Sequence, residues 1–379
     1  MRNYTIGSVW GIPIRINVSL LVFLPVLAWL LGSGGQIQVY AGFIESLTGV
    51  GFDLGALRAG LTPWIIGVLA AVGLFASVTV HELGHSWVAL RYGIEIESIT
   101  LWILGGMAAL SRIPREWNRE FWIAIAGPAT SVGVGGVCFA ALYAVPAQLP
   151  VVRFVVGYLA ILNVVLAGFN LLPAFPMDGG RILRALLARN RPYASATRIA
   201  GRIGVVFALL FAVVGALSFN VIMLLLALFI YGAATSESRT VVIDELLDGV
   251  TVGDVMTRDP PSVAASATVG EFADRMLRER RTAYLVTDDA GAVVGVVTLE
   301  GLKDVSREDR DSVTVDSIAM ELPRVDATAD AFDTLAGSGG RSGPYALVEV
   351  EGVVAGLLSD TDYAHALTIQ RGFASSITG

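Results

Sequence analysis

Two of the chain's three histidines, His81 and His85, stand four residues apart, and Glu82 follows the first directly. On a helix that spacing puts both imidazoles on one face. Two ring nitrogens so placed can hold one zinc ion, and the adjoining carboxylate can reach a water that the metal activates. A catalytic zinc site takes a third protein ligand and leaves one position open. Residues 1–235 hold only eight acidic residues, so the choice is small. Glu45 and Asp53 follow the first apolar run, Glu116 and Glu120 accompany arginines, and Glu95 and Glu97 border an extended stretch. Asp178 remains, in Pro173-Ala174-Phe175-Pro176-Met177-Asp178-Gly179-Gly180-Arg181. There the prolines break a helix and the glycines permit a tight turn beside a ligand. The plainer alternatives are a hydrogen-bonded histidine pair inside a helix bundle and a helix N-cap at Asp178.

The elements that must carry these residues are apolar. The chain has 379 residues, 54% hydrophobic and only 16% charged, with a mean hydropathy of +0.68. Soluble domains carry about a quarter charged residues, so a purely soluble protein is excluded. Apolar stretches run over 17–31 (brought to spanning length by Ile14 and Ile16), 63–90, 121–145, 151–172, 203–219 and 221–234. A helix of about 20 residues crosses a bilayer, so about six transmembrane helices are expected. The last two stretches, parted only by Ser218-Phe219-Asn220, read as a helical hairpin or as one long tilted helix. Residues 92–111 are β-branched and glycine-rich, and read as extended. The paired histidines fall near the end of the second span.

Charge divides the chain in two. Residues 1–235 carry net +6 and residues 236–379 net −13, which speaks against nucleic acid as a partner of the second part. Arg91, Arg112, Arg115 and Arg119 lie between spans two and three; Arg181, Arg184, Arg189, Arg191 and Arg198 lie between spans four and five. The positive-inside rule places these loops, both termini and the tail in the cytoplasm. One cysteine, Cys138, excludes an intrachain disulfide. The tail repeats itself with an offset of 61 residues: Tyr284 matches Tyr345, Gly291 and Gly295 match Gly352 and Gly356, and Thr298 matches Ser359. Each unit reads as strand, helix, two strands and a second helix, and two such units are expected to pack together.

His81-Glu82-Leu83-Gly84-His85, Ala126-Gly127-Pro128 and the stretch from Phe169-Asn170 to Asp178-Gly179-Gly180-Arg181 resemble, in this order, the three signatures of the site-2 protease family of zinc intramembrane proteases. The resemblance covers roughly residues 8–235. It implies one zinc ion per chain held by His81, His85 and Asp178, with Glu82 as general acid/base and Asn170 holding substrate or oxyanion. Where the family has an asparagine after its Gly-Pro, this chain reads Ala129-Thr130-Ser131. Gly127 and Pro128 read as helix-packing residues with no chemical part. The tail resembles a tandem CBS pair, a fold that commonly holds adenine nucleotides. That likeness implies nucleotide contacts at Ser359 and Asp362 and at Thr298, although Gly301 replaces the expected aspartate of the first repeat. Arg307 and Arg341 are candidates to offset phosphate charge.

The expected architecture is therefore a polytopic α-helical membrane protein with a C-terminal α/β CBS pair. Residues 1–235 form the transmembrane zinc metalloprotease domain, 236–247 a linker, 248–306 the first repeat and 307–373 the second. The expected activity is cleavage of transmembrane segments of membrane-anchored proteins, modulated by nucleotide, in a cell-membrane protein that pairs into a homodimer through the CBS repeats. The segment 94–104 is either a plain hairpin or a strand to which an unwound substrate adds. A CBS-gated transporter or channel and a non-catalytic zinc-binding scaffold are the alternatives.

Overall fold

A computed structural model describes residues 3–103, 105–110, 114–337 and 345–377, and separates the chain into Met1–Arg239 and Thr240–Gly379. Arg341 lies outside the described residues.

The first unit opens with a hairpin of β1 (Asn3–Val9) and β2 (Ile12–Asn17). Its turn uses the left-handed backbone of Trp10 and Gly11, with φ of 52° and 80°. Ile14 and Ile16 thus belong to a strand and lend nothing to the first apolar helix. That helix, α1 (Val18–Leu31), starts at Asn17, whose side chain accepts from the Ser19 amide. Its 14 residues rise only about 21 Å, too short to cross alone. A sharp bend of 64° leads into α2 (Gly34–Thr48), and the short α3 (Leu54–Arg58) follows.

α4 (Thr62–Arg91), α5 (Trp117–Ala144), α6 (Pro150–Asn170), α8 (Tyr193–Leu217) and α9 (Val221–Leu246) are each long and apolar enough to span. Between α6 and α8 lies the amphipathic α7 (Asp178–Ala188). With the bent α1–α2 pair taken as one span the number rises to six. α8 and α9 are separate helices broken at Ser218–Asn220, as the hairpin reading expects. α9 continues helically through Leu246, so most of the expected linker 236–247 is helix.

Between α4 and α5 run β3 (Ile96–Trp102) and β4 (Gly105–Leu110). β2 and β3 pair in parallel, β3 and β4 antiparallel, giving the sheet order β1-β2-β3-β4. β3 is therefore flanked on both sides, and the described part of the segment 94–104 that forms it offers no edge to a substrate strand. β4 offers it instead. The buried Ile12, Ile14, Ile96, Ile99 and Leu101 seat the sheet against Val78 and Ala89 of α4 and Ile123 of α5. α6 is tied to α4 by Asn163, which donates to Ser77 Oγ at 2.9 Å.

The second unit shows the repeat directly. After α10 (Val252–Val255) and β5 (Thr257–Arg258), the first copy comprises β6 (Ser262–Ala264), α11 (Val269–Glu279), β7 (Ala283–Thr287), β8 (Val293–Thr298) and α12 (Leu299–Lys303). The second comprises β9 (Arg324–Asp326), α13 (Ala331–Gly337), β10 (Tyr345–Val350), β11 (Val353–Ser359) and α14 (Asp360–Ile377). One sheet is β6-β7-β8 and the other β5-β11-β10-β9, so β5 joins the sheet of the later copy. Thr268 and Glu271 form a capping box that starts α11.

Candidate metal centre

α4 presents His81 and His85 one turn apart, both about 5% exposed or less. The loop at 171–177 ends α6 and turns the chain so that α7 begins at Asp178. Asp178 Oδ2 lies 3.1 Å from His81 Nε2 and 3.2 Å from His85 Nε2, and the two Nε2 atoms are 3.2 Å apart. His85 Nδ1 is 2.6 Å from the Ile123 carbonyl oxygen, to which it can only donate. The Nε2 of His85 in its neutral form is then a lone pair aimed at a carboxylate and a second imidazole. A cation among the three would give that lone pair, the carboxylate and the second imidazole one shared partner. Tetrahedral donors at usual zinc distances stand about 3.4 Å apart, close to what is seen, and two imidazoles with one carboxylate suit zinc. The donor set fits the metal.

One face of α5 arranges all of this. Glu120, Ile123, Gly127 and Ser131 follow one another at helical spacing and are buried. The Ile123 carbonyl orients His85, and Ser131 Oγ lies 2.9 Å from His81 Nδ1. Such partners fix the tautomer and rotation of a ligand imidazole. Gly127 lies directly against the rings: a Cβ there would sit 2.1 Å from His85 Nε2 and 2.7 Å from His81 Nε2. The packing role expected of Gly127 is thus packing against the two imidazoles themselves. Ser131 falls where the chain departs from the resemblance, and its hydroxyl faces His81 all the same. The Ile123 contact is made by backbone, which no side-chain pattern could announce.

The three donors open into a cavity of about 360 Å³ that also takes in Glu82, Asn170, Arg181 and the strand β4. Glu82 leans on Gly106 of β4, where a Cβ would meet its Cγ at 2.5 Å. Asn170 lies at the end of α6 and its amide donates to the Leu166 carbonyl at 3.0 Å. Arg181, one turn beyond Asp178 and the last residue of the third signature, brings a cation to the same wall, a part that the sequence did not assign to it. Arg184, which the sequence presents only as a loop charge, is 1% exposed and paired with Glu120 and Glu237.

In the second unit Ser359 and Asp362 stand together at the start of α14. Ser359 donates to Asp362 Oδ2 through its amide (2.8 Å) and hydroxyl (2.6 Å), and Thr257 donates to Oδ1 at 2.6 Å. Thr298 caps α12, accepting from the Gly301 amide at 3.4 Å.

The model of peptidase family M50 matches residues 69–211, and that of the CBS domain matches 252–308. Zinc metalloprotease MJ0392 of Methanocaldococcus jannaschii is 32% identical over 97% of this chain and 97% of its own. Rip3 of Mycobacterium tuberculosis is 33% identical over 97% of this chain and 93% of its own. A solved site-2 protease from Methanocaldococcus jannaschii is 35% identical, covers 62% of this chain and 95% of its own, and superposes with a TM-score of 0.43.

A methyl group at Gly127 should spread the imidazoles. Gly127→Ala is expected to weaken zinc retention at least 10-fold, the scale on which ligand-orienting contacts act, while Gly133→Ala, facing open space on the same helix, leaves it unchanged. Chelator competition measures this, and equal retention in both variants would contradict the arrangement described.

Proposed function

Since this chain belongs to the site-2 protease family, peptidase family M50, and is a multi-pass membrane zinc metalloprotease with a CBS domain, we propose that it cleaves transmembrane segments of membrane-anchored proteins at the His81–His85–Asp178 centre. The observation that carries this reading is the convergence of those three donors within 3.2 Å at the wall of a cavity that also holds Glu82.

His81, His85 and Asp178 would hold one zinc ion per chain. When bound, zinc supplies the Lewis acidity that lowers the pKa of water and polarises a carbonyl. Glu82 takes a proton from the attacking water as its oxygen bonds to the scissile carbon, then gives that proton to the departing amide nitrogen. The C–N bond breaks, leaving a carboxylate and an amine. Asn170 and Arg181, which line the cavity, would donate to the carbonyl oxygen as it gains charge. A helical substrate hides its peptide bonds, so it must unwind first. The free edge of β4 can then take the freed strand by β-addition and hold it across the cavity.

The arginine-rich loops, both termini and the tail face the cytoplasm in this reading. With Arg184 withdrawn into an ion pair, the loop arginines that remain still outnumber Arg58 and Arg153 on the other side. In the tail, Ser359 and Asp362 would contact the ribose and phosphate of an adenine nucleotide, with Thr298 marking the corresponding place in the first copy. The repeats would also join two chains into a dimer. A nucleotide changes proteolysis only if it binds two arrangements of the tail unequally.

Three outcomes are expected. Glu82→Gln in the purified full chain should keep its zinc and lose cleavage of a tagged single-span substrate by about 10²-fold or more; undiminished cleavage would remove Glu82 from the mechanism. Cysteine labelling should reach Arg189→Cys from the cytoplasmic face and Asp53→Cys from the other, and the opposite pattern inverts the topology. Calorimetry should show adenosine nucleotides binding the full chain and failing to bind Asp362→Ala. Absence of heat with the parent chain leaves the repeats as a pairing module.

A further inference from the structure

Asp178 is the only metal-facing donor that does not stand on α4, so its placement depends on whatever fixes α7. Two turns along α7 from Asp178 is Arg184, the largest fully buried side chain among the described residues. Its Nε donates to Glu120 Oε1 at 2.7 Å, and Nη2 approaches the same oxygen at 2.5 Å. Its Nη1 lies 2.5 Å from Glu237 Oε1 on α9. The guanidinium also lies over the rings of Phe175, at 5.0 Å, and Tyr193, at 4.9 Å. Phe175 is three residues before Asp178, Tyr193 opens α8, and Glu120 is one turn before Ile123 on the α5 face that orients the histidines. One side chain therefore touches α5, α8, α9 and the loop leading to Asp178.

A buried cation of this kind adds little net stability once its desolvation is counted, and specifying one arrangement is the better attested use of such groups. Here the arrangement specified is that of a metal-facing carboxylate. Arginine suits the task because its planar fork can serve two carboxylates at once, which an ammonium cannot do with the same geometry.

We propose that Arg184 is a positioning residue: clamped between Glu120 and Glu237, it holds α7 so that Asp178 meets His81 and His85, and it ties that placement to α9. α9 is the helix that continues into the second unit, so a displacement of α9 at Glu237 reaches the metal centre through one guanidinium. Glu120 anchors the clamp to α5, and Glu237, with about a third of its side chain exposed, is the arm that can let go. This inference rests on Asp178 being a metal ligand.

The test uses the full-length protein in detergent and measures zinc release to a chelator, kcat, KM and the thermal unfolding midpoint. Glu237→Gln leaves the Glu120–Arg184 pair charge-balanced, so the midpoint should hold. Zinc release should quicken about 10-fold, as for other loosened supporting contacts, with kcat falling alongside and KM unchanged. Arg184→Lys, which keeps the charge but loses the fork, should act in the same direction at least as strongly, and Glu237→Asp should recover part of the loss. If Arg184→Lys does not fold, Glu237→Gln decides alone. Parent-like zinc release and kcat in Glu237→Gln would overturn the clamp, as would a kcat loss that follows a lowered midpoint while zinc release stays at the parent rate. Asp178→Ala separates the two levels of argument. If it holds zinc as firmly as the parent, the ligand assignment fails and takes the clamp with it. If it sheds zinc while Glu237→Gln does not, only the clamp fails.

Discussion

Two imidazoles and a carboxylate converge on one point, within 3.2 Å of each other and buried, so that a shared proton or a cation must stand among them. Holding them there takes outside force, and the first unit is arranged to supply it. α5 carries most of that burden on a single face: a carbonyl at Ile123, a hydroxyl at Ser131, the missing side chain of Gly127 and the carboxylate of Glu120. The helix itself contributes no metal-facing side chain. Its task is to orient the donors of α4 directly and, in the reading proposed above, that of α7 through Arg184. Such contacts hold a site to the tolerance that catalysis needs.

How much of this could be read beforehand follows from where each piece of information resides. The donors could be named because spacing on one helix fixes two of them, and the scarcity of carboxylates in residues 1–235 nominates the third. Their supports could not, because they act through backbone, through absence of a side chain or across long separations. Gly127 looks like any packing glycine until the rings beside it are seen. Arg184 counts as a loop charge until Glu120 and Glu237, distant in sequence, close around it. Ile14 and Ile16 have the apolarity of a membrane helix, and only the Trp10–Gly11 turn and pairing with β1 and β3 make them strand residues. In the tail the repeat was plain because it is written twice; that β5 joins the later copy's sheet was not, since strand order is a tertiary fact.

The place of a sheet in a chain of apolar helices has an energetic reason. A helix satisfies its own backbone, and unwinding one in an apolar environment strands N–H and C=O groups at several kcal/mol each. A protease that works on helices meets that cost at every turnover unless it offers replacement partners. β4 can offer them, because among the described strands β3 occupies only one of its edges, and residues of β4 line the cavity. The same strand has glycine at 105 and 106, and at Gly106 the lack of a Cβ lets Glu82 lie against it. The strand whose edge would receive the unwound segment therefore has, on its face, the carboxylate that would move the proton. In the proposed reading, binding the strand and aligning its carbonyl would become one event, so the energy gained by backbone pairing would be spent where the chemistry happens. A bulkier residue at 106 would sever the two, pushing Glu82 from the strand even if the strand still bound.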